Sequence, residues 1–578
     1  MLKGIALFVL VFYLLTSRVL SASYTDLTIS EAKNMIDSKS SIVVLDVRTQ
    51  SEYDTGHIRN AKLIPVDELE QRLNELNKSQ GILVYCRSGY RSSAASQILV
   101  NNGFLQVYNM LEGITAWINA GNPVYVKYPS IQEAINNATE GSSIFVSAGT
   151  YYEHLVINKT VSIVGEDENV TILDGNYTGN VLNVTARDAT IMRFTVRNSG
   201  STELNSGIYV NGKAGNNVSD SIVENNYVGI LVFNSTGCNL SRSTVFRNND
   251  DGIRLKFCSN VTVANNAVFS NRFYGINLHD SNENVISGNI GSNNTYGFCC
   301  DRNSNNNTIH ENSFLSNSNF GIGISWYSDN NTVSGNTVSG NYIGVDLDWV
   351  STNNFVFGNS IFDNSYGMWL SRVRSNLLFH NNLVGNTREA FTFDSAIICD
   401  NSLEGNYWSR YAGIDVNQDG IGDTPYSPAP DCMDNHPLMG RFYSFNVPLG
   451  YVDVISNSTI TDFQFLESSR TIKMHASNVT TSQALGFCRI RIPHALMNQT
   501  YRITIDGADP HFANYTLHDD GESRWIYFSY MHSTLEIVIT PEFQSLILLL
   551  TYMTTTLAIC LVYRRRFALS QARWLPKL

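Results

Sequence analysis

The segment CRSGYRS, residues 86–92, sets one thiol at the end of the apolar run ILVY and surrounds it with small, polar and cationic side chains. A core cysteine normally behaves as a small hydrophobe among apolar neighbours, so this setting points to chemistry. Gly89 allows a tight curl, with Ser88 and Tyr90 beside it. A helix beginning near Ser92 aims its backbone N–H groups and its positive end at the sulfur. Arg87 and Arg91 add positive charge. Each of these favours the thiolate, which is the nucleophilic form, and the same charge draws in an anionic substrate.

Two other groups of residues have chemical potential. A period-2 reading of the later strands sends alternate residues outward. The outward file then runs through Arg254/Lys256, Asn277/His279, Cys299/Asp301, Gly323/Ser325, Asp346/Asp348, Trp369/Ser371 and Thr392/Asp394, with Trp326 and Trp349 at its edge. Carboxylates beside exposed tryptophans suit a saccharide groove, in which rings stack on aromatics and hydroxyls bond the acids. Asp346 and Asp348 lie about 7 Å apart along one strand, within reach of paired-carboxylate glycoside chemistry. An ordinary solvated sheet face is the plainer reading. The second group is Asp415, Asn417, Asp419 and Asp423 around Gly420, spaced as in a calcium loop. Tyr426 stands where such a loop would carry its bidentate Glu, and a plain turn is the alternative. His279, His310 and His380 lack a convergent Met or Cys set, which argues against copper.

The elements that must position Cys86 come from residues 24–127. Short β-branched runs (SIVVLDVR, GILVYC) alternate with helical periodicities (TISEAKNMIDS, VDELEQRLNEL, RSSAASQILVNNG). That order predicts an α/β domain with a parallel sheet, whose sites form at the carboxyl ends of strands. Cys86 is at such an end, and Asp46 and Arg48 are at another. Here the chain resembles the rhodanese family of sulfurtransferases. The likeness rests on LDVRTQSEYDTGHIRNAKLIP (45–65), on CRSGYRS, and on VYNMLEGITAWINAGNPV (107–124). It implies that Cys86 accepts a sulfane sulfur as a persulfide and passes it to a thiol acceptor. It also implies that Arg87 and Arg91 hold an anionic donor, that the amides of 87–91 cradle the terminal sulfur, and that no cofactor is required. Asp46 and Arg48 match strand-end positions that support the loop. The six-residue loop from Cys86 to Arg91 fits sulfur transfer better than the phosphatase-type loop, which is one residue longer. HIRNA and LEGI depart from the family's pattern outside the loop. A degenerate module used for binding is the alternative, and His57 reads as a structural surface histidine.

Residues 128–440 repeat. Glycine followed by an apolar residue recurs at 207, 229, 252, 275, 297, 321, 344 and 367, and Ala390 continues the series. A period near 23 with short apolar alternations means a β-solenoid. Two asparagine files share the step: 266, 289, 312, 336, 359, 382 and 406, and 248, 271, 317, 341 and 364. Asparagine suits left-handed turns, and stacked amides would satisfy one another. The lead-in at 130–176 resembles the amino-terminal cap of right-handed parallel β-helices. NYWSRYAGIDVNQDGIGDTPY (406–426) resembles the closing element of the NosD-type copper-associated family. Residues 441–540 read as short alternating strands, a β-sandwich spacer.

The ends suggest export. Residues 1–23 have one early cation, an apolar core and a small-residue exit, as a signal peptide or an uncleaved anchor does. From Ser545 to Tyr563 no residue is charged, and Arg564–Arg566 follow, so 541–578 reads as a transmembrane or sorting tail with one membrane-spanning helix and a cytoplasmic end. This tail also resembles the PEF-type sorting tails of archaeal surface proteins. Nine cysteines cannot all pair. Cys238 and Cys258 could meet between neighbouring coils, though connectivity does not follow from sequence. The net charge of −12 over 578 residues excludes a nucleic-acid partner. The whole reads as an exported, membrane-anchored surface protein. Its function would be sulfur transfer through Cys86, carbohydrate-binding or copper-associated display, or polysaccharide chemistry on the coils.

Overall fold

The structure is a computed structural model that describes residues 23–38, 41–479, 483–497, 500–531, 533–541 and 553–564. The chain divides into two compact units after Thr308.

The first unit opens with an α/β domain. Strands β1 (Thr25–Leu27), β2 (Val43–Asp46), β3 (Lys62–Leu63), β4 (Ile82–Tyr85) and β5 (Val107–Met110) form one parallel sheet in the order β1-β5-β4-β2-β3. Central β4 is buried at every residue, which is why its sequence is a continuous apolar run rather than an alternation. Helices α1 (Ile29–Asp37), α2 (Gln50–Asp54), α3 (Tyr90–Asn101) and α4 (Gly113–Asn119) cover the sheet. Capping boxes start α1 (Thr28/Glu31) and α2 (Thr49/Glu52), so two orphan amides at each start are satisfied. One apolar cluster packs Leu45, Val84, Cys86 and Leu99, and another packs Val44, Leu83, Tyr85 and Trp117.

No loose linker follows. Tyr125 bridges antiparallel to His57, and Val126 bridges parallel to Val146 of the first coil. His57 is buried at 1 % exposure, which corrects the surface reading of this residue. Its Nδ1 lies 3.0 Å from the Tyr53 carbonyl, and its Nε2 lies 3.0 Å from Glu166. Glu166 also accepts from the Asn60 and Ala148 amides, and Arg59 Nε donates to its carbonyl.

Three-strand coils follow. Ser206–Asn211, Val228–Phe233, Ile253–Lys256, Tyr274–His279 and Tyr296–Asp301 pair in parallel register, each with the next. Short strands such as Thr244–Phe246 and Ala267–Phe269 bury only their central residue. Asparagine ladders line the corners. Asn226, Asn248 and Asn271 each donate Nδ2 to the Oδ1 of the next asparagine, ending on Asn294, at 2.9–3.2 Å, and Asn266 donates to Asn289 at 3.0 Å.

The second unit repeats this plan. Phe320–Ile324, Ile343–Leu347, Tyr366–Ser371 and Arg388–Phe393 pair in parallel. One ladder runs Asn312–Asn336–Asn359–Asn381–Asn406. Asn381, rather than Asn382, continues it. Asn382 turns away and exchanges two hydrogen bonds with the Phe442 backbone. The coil-end disulfide is Cys399–Cys432, while Cys238 and Cys258 are free thiols that donate to main-chain carbonyls. Residues 441–541 form two antiparallel sheets, of five and four strands, over one apolar core. Buried Glu404 ties this sandwich to the last coils by accepting from Arg489, Trp525 and His380.

Residues 553–564 are helical. Among the described residues no helix is long and apolar enough to cross a membrane. Residues 1–22 and 542–552, on which the leader and the first part of the predicted span fall, lie outside the described residues.

Candidate functional site

Cys86 follows β4 directly, and the chain curls before entering α3. Gly89 makes the curl at φ +93°, a left-handed conformation that favours glycine. The Gly89 amide donates to Cys86 Sγ at 3.2 Å. Burial raises the thiol pKa, but the Ser92 hydroxyl and the amides of Ser92, Ser88 and Gly89 outweigh it, and the net shift is downward. The site therefore stabilises a thiolate with main-chain donors. Ser92 is buried, whereas Ser88 and Tyr90 are exposed at the mouth.

The two arginines are not equivalent. Arg91 forms a bidentate pair with Glu52 at 2.6 and 2.8 Å. That hydrogen bond is the main reason the Glu52 carboxyl falls to about 2. Arg91 is thus charge-paired within the fold. Arg87 is exposed and has no ion pair among the described residues. Glu52 was missed in the sequence because its capping-box spacing accounts for it already. Its second partner lies 39 residues away.

Support comes from below and from one side. Asp46 is fully buried and accepts from Arg48 Nε and Nη2, and Arg48 Nη2 also donates to the Gly56 carbonyl. The start of α4 clamps the loop. The Ile114 amide donates to the Cys86 carbonyl at 2.8 Å, and the Thr115 hydroxyl donates to the Arg87 carbonyl at 2.9 Å. Gly113 sits so close that a Cβ would lie 2.5 Å from the Cys86 oxygen. Beside it, Glu112 holds φ +61°, an uncommon conformation for a non-glycine residue, with a cost of order 1 kcal/mol or more.

The outward file is only partly as the alternation predicts. Cys299 is 2 % exposed and Asn277 is 6 % exposed, so neither is open to solvent. Asp301 lies 3.5 Å from His279 and 3.7 Å from Arg302. In the second unit Trp369 pairs with Phe391, not Thr392, because the last coil shifts by one residue. Asp394 therefore leaves the file. It occupies a left-handed corner at φ +46° and pairs with Arg374 at 3.1 Å. Trp369 stacks on Phe391 with centroids 4.0 Å apart, and Trp326 stacks on Trp349 at 4.6 Å. Asp348 accepts from the Trp349 amide and lies 4.0 Å from Arg372, whose guanidinium covers the Trp349 ring. Asp346 is the outlier. Its Oδ1 is buried without a hydrogen-bond partner, and burial, with the charge of Asp348, pushes the carboxyl up to about 8.

The 415–423 segment uses its carboxylates on its own backbone. Asp415 accepts from the amides of Asp419 and Gly420, Asp419 from Ile421, and Asp423 from Val416. Asn417 Nδ2 reaches Asp419 at 3.3 Å. These bonds build the plain turn that the spacing also allows. Among the described residues no three His, Cys, Asp or Glu side chains converge to hold a metal ion.

A thiol at a strand end, cradled by amides in a five-stranded parallel α/β sheet and joined to a coiled parallel sheet, defines a two-part protein. The rhodanese-like domain family matches residues 28–120, and the right-handed beta helix region family matches 180–338 and 231–387. The chain belongs to the rhodanese-like family through its N-terminal domain, which is fused to a right-handed β-helix of about 23 residues per coil. It is 36 % identical over 97 residues to the putative sulfur carrier protein YrkF of Bacillus subtilis, covering 17 % of this chain and 52 % of that one. The chain thus spans about half of that relative's length. It is 34 % identical over 100 residues to a sulfurtransferase of Allochromatium vinosum, covering 16 % of this chain and 94 % of the relative. A solved rhodanese-related protein from Thermoplasma volcanium is 32 % identical, with 18 % of this chain and all of that chain covered and a TM-score of 0.17.

Proposed function

We propose that the N-terminal domain transfers sulfane sulfur through a persulfide on Cys86. The carrying observation is the loop itself, in which a buried thiol is held below its ordinary pKa by a hydroxyl and three amides. Such a thiolate attacks the outer sulfur of a donor, and the same amides then receive the persulfide anion. Relatives named sulfurtransferases support the class of reaction. The test uses the full chain with a panel of sulfane-sulfur donors and intact-mass detection. A one-sulfur gain on the native protein, absent in Cys86→Ser, is the expected result. An unmodified Cys86 with every donor would refute the reading.

A second reading concerns the coils, as a carbohydrate-binding face displayed outside the cell. Its support is Asp346, an unpartnered acid that stays protonated near neutrality, flanked by Asp348 and the Trp369–Phe391 stack. A protonated carboxyl among aromatic rings suits a sugar hydroxyl or a glycosidic oxygen. Export is supported by the Cys399–Cys432 disulfide, since such bonds persist in oxidising compartments. Glycan-array binding that is lost in Trp369→Ala would sustain this reading, and a blank array would end it.

A further inference from the structure

The charge around Cys86 points to a particular sulfur donor. Resting on the sulfur-transfer reading, we propose that the loop is built for a low-charge organic hydropersulfide, R–S–SH, rather than for the thiosulfate dianion.

The geometry carries this in three steps. First, two of the three guanidinium groups near the loop are already matched by carboxylates. Arg48 is paired with buried Asp46 at 2.7 Å, and Arg91 with Glu52 at 2.6 Å. Second, the remaining cation, Arg87, lies exposed in solvent, where one ion pair is worth little. The formal sum over Arg48, Asp46, Arg91, Glu52 and Arg87 is plus one, and that single charge sits on solvent-exposed Arg87. A dianion entering here gains only one exposed guanidinium. Third, the mouth offers apolar surface. Tyr90 is 85 % exposed and Leu111 is 41 % exposed, which suits an organic R group and does nothing for a sulfonate.

The transfer balances without any further reagent. The Cys86 thiolate attacks the outer sulfur of R–S–SH, and a new S–S bond forms to Cys86 as the donor's own S–S bond breaks. The electron pair of the broken bond leaves on the inner sulfur as R–S⁻. That thiolate takes the proton from Cys86–S–SH, giving R–SH and the persulfide anion in the amide cradle. Cys86 is oxidised from thiol to persulfide, and the donor is reduced to a thiol. With thiosulfate the leaving group is the sulfite dianion, which needs cationic stabilisation that this loop spends internally on Glu52.

The test compares cysteine hydropersulfide with thiosulfate on the full-length protein, at matched ionic strength, with cyanide as acceptor. We expect kcat/KM for the hydropersulfide to exceed that for thiosulfate by about tenfold or more. Glu52→Gln releases the Arg91 charge while Gln still completes the capping box at α2. It should move the specificity ratio toward thiosulfate by about threefold to tenfold. Arg87→Gln is the second variant, and it should cost thiosulfate more than hydropersulfide. Thiosulfate used as well as hydropersulfide by the native protein overturns the proposal, and so does a ratio unmoved in Glu52→Gln. If neither donor adds sulfur to Cys86, the intact mass stays unchanged and the sulfur-transfer reading itself falls.

Discussion

Cys86 and Asp346 are both ionisable groups buried against apolar neighbours, and their pKa values move in opposite directions. Burial penalises the charged form of each. The difference lies in the backbone. At Cys86 the chain leaves the sheet and curls, so the amides of 88, 89 and 92 are free to face a side chain. At Asp346 the strand Ile343–Leu347 is paired on both sides, and its N–H groups are committed to neighbouring coils. A regular parallel ladder has no spare donors to give. The free thiols of the coils obey the same rule. Burial raises Cys238, carries Cys258 to about 11 and lifts Cys300 well above the ordinary value. The repeat region builds surface and stability, and the irregular loop builds reactivity.

This contrast can be broken at several points. The largest effect belongs to Cys86→Ser, which should remove all sulfur loading while leaving the circular dichroism of the coils unchanged. Next comes thiol selectivity. In the native state near neutral pH, iodoacetamide should label Cys86 at least about tenfold faster than Cys238, Cys258 or Cys300, and peptide mapping reads this directly. Comparable rates would mean that the curl confers nothing. Gly113→Ala should come third. Its methyl meets the Cys86 and Arg87 main chain at a backbone φ of +64°, so we expect a loss of about 1–3 kcal/mol. The Cys86 alkylation pKa should rise with it, as the clamp on the loop opens.

The smallest effect sharpens the Asp346 side. Its folded-state pKa of about 8 stands above the unfolded value near 4. The folded state therefore binds more protons than the unfolded state between those values, and stability falls as pH rises through that window. Asp346→Asn should raise the Tm of the β-helix transition by a few degrees above about pH 8 and leave it unchanged below about pH 4. A Tm gain independent of pH would show that the carboxyl is not the source of strain.

Much of this architecture is legible in the residues. The alternation of β-branched runs and helical periods defines the first domain, and a 23-residue step defines the coils, because both depend on local periodicity. The misassignments occur where one residue of slippage changes a face. Ala390 continues the glycine series by spelling, yet Met368 pairs with Ala390, and so Asp394 leaves the outward file. Asn382 fits the ladder by step, but Asn381 occupies it. Other misses are long-range. The Glu52–Arg91 pair spans 39 residues and the His57–Glu166 pair spans 109, and nothing in the local pattern of either partner signals the other. The carboxylates of 415–423 accept from backbone amides, a use that short motifs do not distinguish from metal ligation.

The His57–Glu166 contact has a consequence for how sulfur could travel. Carrier domains that shuttle cargo between stations depend on a pliant tether. Here the passage from Tyr125 to Val146 is stitched by two bridges, and Glu166 is gripped at once by His57, Asn60 and Ala148. The domain that carries Cys86 is bolted to the end of the first coil. It cannot swing out to a recipient, so on the sulfur-transfer proposal every donor and every acceptor must come to it by diffusion and find a fixed address.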